Sequence, residues 1–196
     1  MKKILCYAAL LLLVSCNKPI DELKQQSSPT NNKSAFTKYV IKKGEHFCNV
    51  NVYKPVELSE LKFAVRFDSS AIYTSKISLN QHDINKLYGF SDNGAKHHEY
   101  SARFGWSWTH EALHLHAYVY NDGKRVMADL GPIAIGKETE CSIKVKNESY
   151  IFQVGDRIVT IERSSKTHIA KGYMLYPYFG GDETAPHDVS INIKNL

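Results

Sequence analysis

From Phe36 onward the chain alternates apolar and polar residues over short runs rich in Val, Ile, Tyr and Phe, broken by turn residues at intervals of about ten. A period of two belongs to strands with one buried and one wet face, so this pattern commits the chain to β-sheet. In the run at 61–67, Leu61, Phe63, Val65 and Phe67 alternate with Lys62, Ala64 and Arg66. Comparable runs lie at 36–42, 45–53, 101–108, 112–120, 124–130, 139–146, 150–154, 157–163, 168–176 and 189–193. Asn121-Asp122-Gly123 between two of them is a strong hairpin signal, and Asn147-Glu148 and Gly155-Asp156 make further turns. One short helix is predicted over Gln81 to Tyr88, capped by Asn80, with Asp83 in its first turn and Gly89 to end it. About ten or eleven antiparallel strands, with no helices able to cover a parallel sheet, imply an all-β, two-sheet sandwich of jelly-roll or concanavalin-like type. A closed barrel is the alternative. Some 160 residues from Ser34 onward suit one domain, at 34–196.

The N-terminus is of a different kind. Lys2 and Lys3 precede the apolar run Ile4 to Val14, which is too short for the about 20 residues that span a bilayer. Leu13-Val14-Ser15-Cys16 resembles the lipobox of bacterial lipoproteins, where small residues admit the processing peptidase and the cysteine thiol takes a diacylglycerol. The resemblance implies that 1–15 is a cleaved signal peptide and that Cys16 becomes the lipidated first residue. Residues 17–33 are polar, lack aromatic side chains and contain prolines, as a flexible tether would. The implied location is the cell envelope, on the outer membrane or cell surface, with the membrane as partner through the lipid anchor.

The formal net charge is +5, of which Lys2 and Lys3 leave with the signal. The remaining bases are scattered among Asp and Glu rather than drawn into a stripe, which excludes nucleic acid as a partner. Removal of Cys6 with the signal and lipidation of Cys16 leave Cys48 and Cys141. An oxidising compartment would permit a disulfide between them, and two separately buried thiols are the alternative.

The chemistry concentrates on the run at 112–120, where Leu113, Leu115, Ala117 and Val119 share one side and His114, His116, Tyr118 and Tyr120 the other. Imidazoles and phenols in a row suit a glycan-binding groove, since aromatic faces stack on pyranose rings and polar tips bond hydroxyls; half-buried packing is the plain alternative. His110, Glu111, His114 and His116 also admit a zinc reading, because alternate strand residues lie about 7 Å apart on one face. A third ligand is not evident. In the run at 101–108, Phe104, Trp106 and Trp108 read as core, while Arg103 shares the opposite face with Ser101, Gly105 and Ser107, small residues that leave a furrow for a carboxylate. After Gly180-Gly181, the acids Asp182, Glu183 and Asp188 could offer oxygen ligands to calcium as a cofactor. Alternatively, His187 and Asp188 lock the entry to the final strand.

The phrases at 101–106, 116–120 and especially Tyr176 to Asp188 resemble segments of Bacteroidota lipoproteins with concanavalin-like or jelly-roll domains, over roughly 88–193. That group implies the fold and no activity. The expected function is therefore a glycan-binding or scaffold lipoprotein, with Arg103, His114, His116, Tyr118 and Tyr120 as ligand-binding residues. The alternative is a jelly-roll polysaccharide lyase, in which Arg103 would neutralise a uronate carboxylate while His116 or Tyr118 moves protons. The strands lack the acidic pair of a glycoside hydrolase.

Overall fold

The computed structural model describes residues 35–165 and 167–196; the expected signal, Cys16 and the tether lie outside them. Within the compact unit Ser34–Leu196 the described residues form two six-stranded sheets, in which every pairing between strands is antiparallel. The first runs β1 (Thr37–Ile41), β12 (Val189–Asn195), β3 (Glu60–Phe67), β8 (Thr139–Lys146), β9 (Ser149–Val154) and β10 (Arg157–Glu162). The second runs β2 (Pro55–Leu58), β11 (Ala170–Leu175), β4 (Asn85–Ser91), β5 (Tyr100–Thr109), β6 (Ala112–Asn121) and β7 (Lys124–Ile133). The all-β sandwich is as the alternation predicts, and the barrel alternative is set aside.

The apolar side of each alternating strand meets the other sheet. Phe104 of β5 lies edge-on to Phe63 of β3 and Phe152 of β9, with ring centroids 5.5 and 5.3 Å apart. Trp106 packs against Phe67 at 5.4 Å. All five side chains are buried, and fully buried aromatics of this size dominate core energetics. Asp122 and Gly123 both take left-handed backbone, φ 53° and 73°, as a two-residue hairpin requires.

Three expectations are corrected. The predicted helix at 81–88 is a 3₁₀ turn at Ser78–His82 followed by β4: Asp83 is extended, and Asn80 gives its side-chain amide to Glu183 instead of capping a helix. Six of the seven β4 residues are buried, so this central strand is covered on both faces and loses the alternation that would have announced it. The run at 45–53 forms only isolated bridges through Phe47 and Cys48, because most of its residues are exposed. Cys48 and Cys141 are free and buried apart from each other. Cys48 lies beyond β1, whereas Cys141 is on β8, so β1, β12 and β3 intervene and about 19 Å of sheet separates them, far beyond disulfide reach.

One polar group joins the sheets through the core. Asp92, just past β4, accepts hydrogen bonds at Oδ2 from Tyr150 Oη (2.6 Å) and Arg163 Nε (2.7 Å), and at Oδ1 from the Asn93 and Lys171 amides. Both charged side chains are essentially inaccessible, at 0% and 1%. The Arg163 guanidinium donates its other hydrogen bonds to Asn147, Thr167 and Ile169. Burial alone would raise the Asp92 pKa, but these bonds and the arginine charge outweigh it and hold it below the ordinary value. Asp92→Asn or Arg163→Met should each cost about 3–5 kcal/mol in urea unfolding, since each strands a buried partner. The double variant should cost less than the two together.

Candidate functional site

Pairing of β5 with β6 sets Ser101 opposite Tyr120, Arg103 opposite Tyr118, Gly105 opposite His116 and Ser107 opposite His114. Directly opposed residues share a face, so the predicted ligand-binding side chains do come together, on the outer face of the second sheet. The register continues across that sheet. Phe47 bridges Tyr178, Tyr178 bridges Lys86, Lys86 opposes Gly105, Gly105 opposes His116, and His116 opposes Asp129. Six chain segments thereby contribute to one transverse row. Arg103 and Tyr118 lie in the adjacent row beside Gly89, where any Cβ would collide with the Arg103 backbone and Cβ.

These side chains are not equally open. Arg103 is 6% exposed and Tyr118 3%, so they form the floor, whereas His114, His116, Tyr120 and Tyr178 are partly accessible. The Arg103 guanidinium lies 5.2 Å from the Tyr118 ring centre, and its Nε is buried without a hydrogen-bond partner. Burial lowers its pKa to about 10, so it stays cationic, and the groups that act most strongly against that shift are the phenols of Tyr118, Tyr120, Tyr173 and Tyr178. Lys86 donates from Nζ to the Gly180 carbonyl at 2.6 Å and lies over the rings of Tyr118 and Tyr178, at 5.4 and 5.7 Å. Burial, reinforced by the Arg103 charge and opposed by Asp83, brings its pKa down to about 8.

His116 is held towards its neutral form by burial, against the pull of Asp129. Its Nε2 is 2.9 Å from Ser107 Oγ, while His114 Nδ1 donates to Asp129 Oδ2 at 3.2 Å. The two imidazoles stack with centroids 6.3 Å apart. Burial also raises the Tyr118 phenol, with Tyr120 adding to the shift. At the far end, the Tyr173 hydroxyl takes the His97 amide at 3.1 Å and lies 2.9 Å from His97 Nδ1. The hydroxyl accepts from the amide and so has its own proton to give to Nδ1, which suits a neutral His97 whose pKa burial brings down to about 4.

The metal readings do not assemble. His110 and Glu111 form the β5–β6 turn, both at positive φ, and so leave the face of His114 and His116. Glu183 accepts the Lys76 and Ile77 amides and the Asn80 side chain, and Asp188 pairs with Lys42, so with Asp182 they converge on no common point. Among the described residues no group of three or more His, Cys, Asp and Glu side chains is placed to hold a metal ion. Lys86, His97, Asp129, Tyr173 and Tyr178 belong to the site and were missed. Lys86 was hidden by the helix reading of its strand. Only the aromatic phrase around Tyr178 carried a signal.

No protein-family model matches the sequence, and no curated protein matches it. Solved structures do. Alginate lyase AlyC3 is similar with a TM-score of 0.55 and 16% identity, over 82% of this chain and 74% of that one. Its complex with dimannuronate gives 0.55 and 15%, over 82% and 73%. A glycoside hydrolase family 16 endo-glucanase from Bacteroides ovatus is more distant, at 0.48 and 9%, over 83% and 81%. At such identities the likeness to AlyC3 shows the fold, a two-sheet jelly-roll sandwich, and the residues must carry the rest.

The imidazole pKa shifts set a pH dependence. His97 and His116 bind protons less readily folded than unfolded, so below the ordinary histidine value of about 6.5, and for His97 down to its folded value of about 4, the unfolded chain holds more protons. Their stabilisation is complete above pH 6.5 and is lost on acidification. The melting temperature should fall from pH 7 to 4, and His97→Gln should make that slope shallower. An unchanged slope would show that His97 titrates normally.

Proposed function

We propose that this domain binds an acidic glycan across the outer face of its second sheet, and that a lipid on Cys16 and the tether through residue 33 hold it at the cell envelope after cleavage of 1–15. The observation that carries the ligand class is Arg103, a buried cation ringed by phenols. A buried charge is costly unless paired and hydrogen-bonded. Arg163 meets that requirement with Asp92, whereas the strongest electrostatic partners of Arg103 are all tyrosines. A carboxylate brought by the ligand supplies what is missing, and the planar guanidinium matches it with two parallel hydrogen bonds. Lys86 adds a second cation, and His114, His116, Tyr120 and Tyr178 offer stacking surfaces and hydroxyl partners. The jelly-roll fold, which an alginate lyase also uses, supports this reading.

A second reading, a polysaccharide lyase, rests on neutral His116 beside Tyr118 and Arg103. Arg103 would neutralise the uronate carboxylate, His116 would take the proton from the carbon next to it, and Tyr118, its phenol kept protonated, would give one to the departing oxygen.

Calorimetric titration with alginate and polygalacturonate, against a neutral glucan, separates these readings. Arg103→Met should weaken polyuronate binding by about ten- to a hundredfold, the worth of a charge-assisted hydrogen bond. It should leave the melting temperature unchanged or higher, because an uncompensated buried charge is removed. Equal binding of neutral glucan, or an unaltered affinity in the variant, would overturn the proposal. Products absorbing in the near ultraviolet, lost in His116→Ala while affinity is retained, would establish the lyase. For the anchor, Cys16→Ser should move the protein from the membrane pellet to the soluble fraction.

A further inference from the structure

We infer that Phe47 and Tyr178 form an end subsite that holds a further sugar ring, so that the face takes an internal stretch of a polymer and not a lone terminal sugar. This rests on the glycan reading and extends it to where the chain runs. Phe47 is 58% exposed, whereas most aromatics of the domain are core. It is nevertheless firmly placed. Its ring stands perpendicular to Tyr178, with centroids 5.0 Å apart and an angle of 86°, and Tyr178 lies flat against His46 at 5.1 Å and 9°.

The backbone under these rings is knitted across two loops. Phe179 N–H donates to the His46 carbonyl at 2.8 Å, Ala185 N–H to Glu45 at 3.0 Å, and Gly44 N–H to Ala185 at 2.8 Å. His46 Nδ1 lies 2.8 Å from the Phe179 carbonyl. An aromatic already fixed in place loses little further freedom on binding, which distinguishes a platform from a mobile surface side chain.

Position names the occupant. Phe47 ends the row that passes through Tyr178, Lys86, Gly105 and His116 to Asp129, and five strand spacings make that row about 24 Å long. A glycan whose carboxylate meets Arg103 and Lys86, and which follows the row, reaches Phe47 with its next rings. There it finds an aromatic surface suited to the apolar C–H face of a pyranose.

Uronate oligomers of increasing length, titrated into the compact unit from Ser34, test this, because that unit holds a complete core of its own. Affinity should rise with length and then level off. Phe47→Ala should remove about three- to tenfold of affinity for the long oligomers, the size of one aromatic contact, and leave the dimer and the melting temperature unchanged. Phe47→Trp should restore the gain. If long oligomers bind Phe47→Ala as tightly as the parent, the subsite is refuted while the glycan reading stands. If Phe47→Ala abolishes self-association and carbohydrate affinity is unaltered, Phe47 is a contact between copies and the subsite is refuted. If no uronate oligomer or polymer binds the parent, the glycan reading itself fails.

Discussion

Ten consecutive pairs join β5 to β6, from Tyr100 with Asn121 to Thr109 with Ala112. Because side chains alternate with a period of two, a slip of one residue in either strand would turn its whole inward set outward. In β5 it would send Phe104 and Trp106 to solvent and Arg103 into the core; in β6 it would do the same with Leu115 and His116. The register is therefore held by the burial of those apolar side chains, and the site inherits its geometry from the core. The two-residue turn that closes the pair is made by His110 and Glu111, both left-handed at φ 52° and 57°. Such backbone is disfavoured without glycine, by about 1–2 kcal/mol per residue, so pairing along the strands must outweigh the turn's own preference.

Two buried arginines show what the chain does with charge. Arg163 meets Asp92, and the carboxylate also receives Tyr150 from the first sheet and the Lys171 amide from the second, so the ion pair is one node of a satisfied network. That node fixes the end of β4 against β11, and hence Ser91 beneath the Tyr173 amide, which bonds to the serine hydroxyl. Arg103 has packing of similar depth but, among the described residues, no such network: phenols and the cation of Lys86 surround it, and its Nε is unsatisfied. The contrast separates a charge kept for architecture from the one on which the proposed binding of an anionic ligand rests.

Most of the sandwich was legible in the sequence because a half-wet strand declares itself residue by residue. Strands β5 to β10 follow the alternation and the turn signals closely. The strand β4 did not, since covering both its faces erases the pattern, and its irregular pairing between Lys86 and Gly89 disturbs what remains. The strand β2 was too short to read. For the site, alternation told which residues share a face within one strand, and so found Arg103 and the His114 to Tyr120 set. It could not tell which strands lie side by side. Lys86, Tyr178 and Phe47 join that set only through pairings between distant segments, and Asp129 through the shifted register of the β6–β7 hairpin. Nor does alternation report cover: Tyr118 faces outward from its strand yet is buried beneath its neighbours.

The two cations of the face differ in how firmly they hold their charge. Arg103, near 10, is protonated throughout the physiological range, and its delocalised guanidinium tolerates burial. Lys86, near 8, sits close to the point where it gives its proton up. A bound carboxylate would favour the ammonium form and raise that value, so anion binding and protonation of Lys86 assist each other. In the proposed site both groups would contribute below about pH 8, and Arg103 alone above it. Arg103 would thus be the fixed element of the proposed recognition and Lys86 the adjustable one, an order that follows from their burial beside aromatic rings.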